Sequence, residues 1–194
     1  MSALPLDIGE AGDGRSTLRS PPGVGAPGLT APVSPLPGGA VVRGAVLPDV
    51  PALESLMAPY VATGDLLPRS NYDLCRHIKE YLVAEARDGD LVGCGSLKIY
   101  SRDLAEVAGL AVRRDQQGAG VGRALMDALV AEARASGIAE VLALTRKPAF
   151  FHRLGFVLAE KAHFPLKVWA DCARCPRQNC CDEIAVVLRL ETSR

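Results

Sequence analysis

Gln117-Gly118-Ala119-Gly120-Val121-Gly122-Arg123 lies between an apolar stretch of strand length, residues 104–112, and the most regular amphipathic pattern in the chain, residues 121–135. In that pattern Val121, Ala124, Leu125, Ala128 and Leu129 share one stripe. Arg123, Asp127, Glu132 and Arg134 lie elsewhere and Gly137 supplies a stop, so the period predicts a helix. Glycines at alternate positions let a backbone approach an anion closely, and a helix start adds unpaired N–H groups and the positive end of a dipole. The stretch therefore reads as a cradle for a phosphate or diphosphate. One exposed charge–dipole contact contributes only about 0.3–1 kcal/mol, so several amides have to act together.

Spacing separates the nucleotide motifs that compete for such a loop. A Walker A loop ends in Gly-Lys-Ser/Thr, whereas Gly122 is followed by Arg123-Ala124. A dinucleotide fingerprint counted from Gly118 requires glycine where Arg123 stands, and it belongs near the beginning of a βαβ unit. The remaining alternative is a glycine turn that merely ends a strand.

Working outward, residues 40–46 read as a strand, and Pro48-Asp49 opens a helix whose face carries Val50, Leu53, Leu56 and Met57. A second helix is expected over residues 71–78. Residues 80–87 and 91–100 read as strands joined by the hairpin turn Asp88-Gly89-Asp90. After the long helix, residues 138–145 have the continuous apolar character of a strand covered on both faces. Residues 148–154 read as a short helix, and 156–159 and 183–190 as closing strands. The order β-α-α-β-β-β-α-β-α-β-β describes an α/β (α+β) fold, a mixed central sheet with helices on both faces.

The 194 residues are 48% hydrophobic and 23% charged, enough apolar material for one core. Lys plus Arg number 22 and Asp plus Glu number 22, so no general field draws the protein to nucleic acid or anionic membrane. Any bound anion is held by local groups. Residues 1–39 carry Pro5, Pro21, Pro22, Pro27, Pro32, Pro35 and Pro37 with no run of large apolar residues, so a disordered tail is expected there and one domain over residues 40–194. With neither a membrane-length apolar run nor a secretory pattern, a soluble cytoplasmic protein is expected.

The pattern Gln-x-x-Gly-x-Gly after the strand Glu106-Val107-Ala108-Gly109-Leu110-Ala111-Val112 resembles the central motif of the GNAT superfamily of N-acetyltransferases. The resemblance covers essentially residues 41–190 and implies a sheet with a splayed strand pair and acetyl-CoA as acetyl donor. Carried over by position, the amides of Leu110, Ala111 and Val112 hold the pantetheine arm and thioester carbonyl. Those of Gln117, Gly118, Ala119, Gly120, Val121, Gly122 and Arg123 receive the diphosphate.

Further segments are similar to the short, stand-alone N-acetylglutamate synthases of bacterial arginine biosynthesis. They are Leu66-Leu67-Pro68-Arg69-Ser70, Leu104-Ala105-Glu106-Val107, Leu144-Thr145, Phe150-Phe151-His152-Arg153-Leu154-Gly155-Phe156 and Pro165-Leu166-Lys167-Val168-Trp169-Ala170-Asp171-Cys172. The resemblance implies L-glutamate as acceptor. Its two carboxylates call for cations, preferably planar ones that bind through two hydrogen bonds. Arg69 is the first candidate and Lys167 the second, with Arg146 and Lys147 behind them. Larger synthases of the pathway carry a kinase-like domain that senses arginine, for which 194 residues leave no room, so feedback by that route is not expected.

An α-amine is mostly protonated at neutral pH, and a base accelerates its attack by roughly 10²–10⁴-fold. Glu106, on the strand leading to the acetyl site, is the candidate base, unless it merely pairs with a neighbouring cation. Many superfamily members place a tyrosine acid shortly before the last Gly-Phe pair. Here that slot holds Phe151, so no general acid is assigned.

Cys172-x-x-Cys175 followed by Cys180-Cys181 has zinc-knuckle spacing but no second paired motif, which leaves a structural metal, reduced packing thiols and a redox function open. The chemistry itself calls for no metal. His163 is near enough in sequence to join such a site. A homodimer is compatible with the sequence.

Overall fold

The computed structural model describes residues 39–165, 172, 175 and 178–191. Apart from Gly39, the tail expected over residues 1–39 lies outside the described residues, and so does Lys167.

Seven strands form one sheet in the order β1-β2-β3-β4-β5-β7-β6. They are β1 (Val41–Gly44), β2 (Tyr81–Glu85), β3 (Leu91–Ile99), β4 (Leu104–Val112), β5 (Glu140–Thr145), β6 (Val157–Ala159) and β7 (Ile184–Arg189). Only the β4–β5 pair is parallel; every other neighbour is antiparallel. Four α-helices whose bounds lie within the described residues, α1 (Val50–Ala62), α2 (Asn71–Arg76), α3 (Val121–Ala135) and α4 (Pro148–His152), take their places in the expected order of elements. The expected second helix is shorter than residues 71–78. At His77 the backbone leaves the helical region (φ −107°, ψ 14°), and a 3-10 turn, Ile78–Glu80, delivers Tyr81 into β2. Among the described residues no helix is long and apolar enough to cross a membrane.

The alternation of strand side chains sorts the core onto two faces. Leu82 and Ala84 of β2 pack with Val141 and Ala143 of β5, Val186 of β7 and the α3 stripe, including Leu125 and Leu129. Tyr81 and Val83 point the other way, onto Val50, Leu53 and Met57 of α1 and Leu74 of α2. On that second face Leu142, Ala185 and Val187 are covered separately by Phe164.

Helix α3 lies close against β3 because two strand residues have no side chain. A Cβ on Gly93 would stand 2.8 Å from Val121 Cγ1 and 2.9 Å from Leu125 Cδ1. One on Gly95 would stand 3.0 Å from Leu129 Cδ1. The start of α3, where the glycine loop ends, is thereby fixed relative to the middle of the sheet.

At the other edge, Arg43 binds both Asp49 carboxylate oxygens at 2.7 and 2.9 Å and reaches Glu85 on β2. Asp49 also accepts from the Val46 amide at 2.8 Å, so one arginine ties β1, β2 and the entry to α1 together. These bonds, led by that from Arg43, hold the Asp49 carboxyl below the ordinary carboxylate range against the opposing effect of burial.

Candidate functional site

The strands β4 and β5 pair only at Leu104↔Glu140, Ala105↔Val141 and Glu106↔Leu142. Beyond Glu106 both strands continue without bonding to each other. Just past that point β4 carries a bulge: Cys94 faces Ala111 and Ser96 faces Ala108, so Gly95 alone opposes Gly109 and Leu110. Gly109 has φ +62°, a conformation that side chains other than glycine's rarely adopt. Such a bulge interrupts the ladder and bends its strand, which helps part β4 from β5.

The opening between the parted strands is a cleft of about 620 Å³. Its floor includes Glu106 through Leu110 and Val112 of β4, and Leu144 and Thr145 of β5. One wall comes from α1 and the loop after it, with Met57, Tyr60, Leu66 and Arg69. The opposite end is formed by Gly118, Gly120, Gly122 and Arg123 together with Phe150 and Phe151 of α4.

Loop geometry matches the requirement for an anion cradle. Gly118 and Gly120 have φ of 81° and 85°, and a Cβ at either would meet nothing within 4 Å. The Gln117 and Ala119 amides make long 3.4 Å bonds to the Arg114 and Gln116 carbonyls. Among the described residues the amides of Gly118, Gly120, Val121, Gly122 and Arg123 donate to no backbone carbonyl. The last three are first-turn amides of a 15-residue helix and have no intrahelical partner by construction. Gly122 faces the cleft: a Cβ there would fill the space 3.5 Å from Val112 Cγ2 and 3.6 Å from Phe150 Cζ. Unpaired amides, a helix start and a cradle that a side chain would obstruct suit a diphosphate.

Two side chains lock the loop to the sheet. The Gln117 side-chain amide donates to the Tyr60 hydroxyl at 2.8 Å, and Tyr60 donates to the Val112 carbonyl at the end of β4. Of the residues singled out in the sequence for amide contacts, Leu110, Val112, Gln117, Gly118, Gly120, Gly122 and Arg123 line the cleft. Ala111 and Val121 turn their side chains into the core at 2% exposure. Ala111 and Val121, like Ala119, are not lining residues, so any contribution from them is through the main chain. Arg123 is exposed, 3.5 Å from Asp127 one helical turn on.

Glu106 is 3% exposed, faces the cleft, and accepts a hydrogen bond from Tyr100 at 2.7 Å. Arg69 borders the same cleft, immediately before the cap of α2. That cap is reciprocal: the Asp73 amide donates to Ser70 Oγ at 3.1 Å and the Ser70 amide to Asp73 at 3.3 Å. It fixes the chain at the residue next to Arg69.

Arg146, a secondary cation candidate, borders the cleft, but its guanidinium is committed. It binds Asp182 at 2.8 Å, the Gly64 carbonyl at 2.7 Å and Asp65 at 3.3 Å, so it braces the loop carrying Arg69. Lys147 also lines the cleft.

Phe151, in the slot of the missing tyrosine, is 6% exposed and packs edge-on to Phe156, ring centroids 5.3 Å apart. Two other tyrosines border the cleft that the sequence reading did not single out. Tyr60 extends the Leu53-Leu56-Met57 face of α1, a helical spacing visible in the sequence. Tyr81, 4% exposed, has its hydroxyl pushed up to about 12 by burial and therefore stays protonated.

Among the described residues the four clustered cysteines form no disulfide. Among the described residues no group of three His, Cys, Asp or Glu side chains is placed to hold a metal. Cys181 instead lies 3.1 Å from Lys161 Nζ. Cys94, on β3 opposite Ala111 of β4, is fully buried, its thiol pushed up to about 12 by burial.

Comparison with known proteins gives a consistent picture. The model of the acetyltransferase (GNAT) family matches residues 51–156. The uncharacterized N-acetyltransferase CT2212 of Chlorobaculum tepidum is 38% identical over 149 residues, covering 77% of this chain and 96% of that protein. The amino-acid acetyltransferase of Mycobacterium tuberculosis is 36% identical over 136 residues, covering 69% and 78% respectively. Among solved structures, the N-acetylglutamate synthase of Neisseria gonorrhoeae, complexed with coenzyme A and N-acetyl-glutamate, aligns with a TM-score of 0.70 at 32% identity. That alignment covers 78% of this chain and 35% of the gonococcal one, so the chain spans about a third of that protein.

Proposed function

Since the chain belongs to the acetyltransferase (GNAT) family and is an acetyl-CoA-dependent N-acetyltransferase, we propose that its acceptor is the α-amine of L-glutamate, the first step of arginine biosynthesis. The amino-acid acetyltransferase and N-acetylglutamate synthase among its relatives support this, with residues 40–194 as the catalytic domain. The observation that carries the proposal is the pairing of Glu106 and Arg69 on one cleft, a carboxylate for an ammonium and a guanidinium for a carboxylate.

Acetyl-CoA would supply the acetyl thioester, with the coenzyme A thiolate as leaving group. The glycine loop and the first turn of α3 hold the diphosphate through backbone amides, and the bulged part of β4 presents amides beside the acetyl group. Arg69 fixes an acceptor carboxylate and directs the amine to the splay. Glu106 takes a proton from the amine, directly or through one water, so that nitrogen attacks as the free base. Buried Tyr81, protonated across the working range, presents a neutral hydroxyl to the same cleft.

CoA release measured with a panel of amino acids and small amines tests the assignment. L-glutamate is expected to give the highest kcat/KM. Turnover with other amines and none with glutamate overturns the acceptor while leaving the family intact.

A further inference from the structure

A buried base that gains a proton in every cycle also has to lose it. Glu106 is 3% exposed, and the cleft it faces is the space that the two substrates fill. Its carboxylate accepts from Tyr100 at 2.7 Å, and Tyr100 is half-buried just beyond the end of β3. Tyr100 also borders a second cavity of about 240 Å³, lined among the described residues by Arg69, Asp73, His77, Glu80, Tyr81 and Lys98 besides its own neighbour Ile99. Here His77 Nδ1 lies 2.7 Å from Glu80 Oε1, with the side chains 47% and 31% exposed, so this cavity reaches solvent. Tyr100 therefore touches the base on one side and a polar, solvent-connected space on the other.

We propose that Tyr100 is a positioning residue for the reaction: its hydroxyl orients Glu106 toward the acceptor amine and relays the abstracted proton into the second cavity. The inference rests on the reading of Glu106 as base. While Glu106 is ionised, the phenol donates to Oε2. Once Glu106 has taken the amine proton, the carboxylic acid donates to the phenol oxygen, and the phenol passes its own hydrogen to water in the cavity. The proton leaves to solvent past His77 and Glu80. Tyrosine ends unchanged, Glu106 returns to carboxylate, and no bond between heavy atoms forms or breaks.

Several charged groups share this surrounding. Lys98 of β3 stands opposite Glu106 in the ladder, and Arg69 and Tyr81 border both cavities. Asp73, His77 and Glu80 line the second, while Asp65, Arg146, Lys147 and Glu183 line the first. None of them is removed by deleting one hydroxyl, so Tyr100→Phe isolates the link.

The test compares Tyr100→Phe, Glu106→Gln and the double variant in steady-state kinetics with pH profiles. Tyr100→Phe is expected to lower kcat about tenfold, a small part of what general base catalysis contributes. KM for acetyl-CoA should stay within about twofold because the coenzyme cradle is untouched. Loss of a donor to the carboxylate should move the acidic limb of the profile to higher pH. The double variant should be no slower than Glu106→Gln alone. If Tyr100→Phe keeps the wild-type rate and profile while Glu106→Gln loses activity, the relay is overturned and the base stands. An equal further loss from Tyr100→Phe on the Glu106→Gln background also overturns it, since the hydroxyl then acts only on structure. If Glu106→Gln leaves rate and profile unchanged, the base assignment fails and the relay fails with it.

Discussion

Glu106 and Leu142 form the last rung between β4 and β5, and the candidate base is thus the residue at which the sheet opens. A side chain one step earlier in β4, Ala105, is buried in the core against α3, whereas Glu106 faces the cleft. Strand alternation and the end of pairing together set where the base points.

Gly122→Val tests the cradle. The new side chain would grow from a Cβ 3.5–3.7 Å from Val112 and Phe150 into the space proposed for the diphosphate. Calorimetric titration should show Kd for acetyl-CoA raised at least about tenfold, a loss of roughly 1.4 kcal/mol. Unchanged Kd would place the coenzyme elsewhere.

Gly120→Ala separates backbone strain from obstruction. At φ 85° an alanine pays the left-handed penalty of roughly 1–2 kcal/mol, while its methyl meets nothing within 4 Å. A thermal melt should lose roughly 2–8 °C for a chain of this size. A wild-type melting temperature would show that the loop does not hold this conformation.

Asp49→Asn tests the clasp at the sheet edge. The carboxyl is held below its ordinary value in the folded protein, so its stabilisation is fully present above the unfolded value of about 3.9 and is lost as pH falls below it. Arg43 is about one-third exposed, so the contribution at pH 7 should be about 1–2 kcal/mol. Urea denaturation should show that deficit in the variant at pH 7, narrowing below about pH 3.9. A gap that does not change with pH would remove the ionic explanation.

Arg146→Lys keeps the charge and loses the fork that joins Asp182 to the Gly64 carbonyl and Asp65. Because the braced loop leads to Arg69, KM for the acceptor should rise about five- to tenfold with KM for acetyl-CoA little changed. A rise in the coenzyme KM instead would place Arg146 at the other substrate.

Much of this architecture was legible because its signals are local. The α3 stripe, the Asp88-Gly89-Asp90 turn and the glycine loop each declare themselves within a few residues. What was not legible depends on partners distant in the chain. Arg146 looks like a free cation until the fold places it beside Gly64 and Asp182. Tyr100 looks like a strand end until pairing brings it to Glu106. Gly109 did carry a signal, a glycine inside a strand pattern, which marks a bulge. The cysteine spacing left a ligand set open; among the described residues no three metal-binding side chains are grouped to form one, and Cys181 lies 3.1 Å from Lys161 Nζ, a contact that the spacing does not announce.

Amide hydrogen exchange, measured with and without saturating coenzyme A, reaches the central claim most directly. Slowed exchange concentrated at residues 110–112 and 117–123 is the predicted result, since ligand oxygens would then lie against the bulged strand and the loop, where the amides of Gly118, Gly120, Val121, Gly122 and Arg123 donate to no backbone carbonyl among the described residues. Protection confined to other segments, or none at saturation, would contradict the assignment of the splayed strand and glycine loop as the coenzyme site.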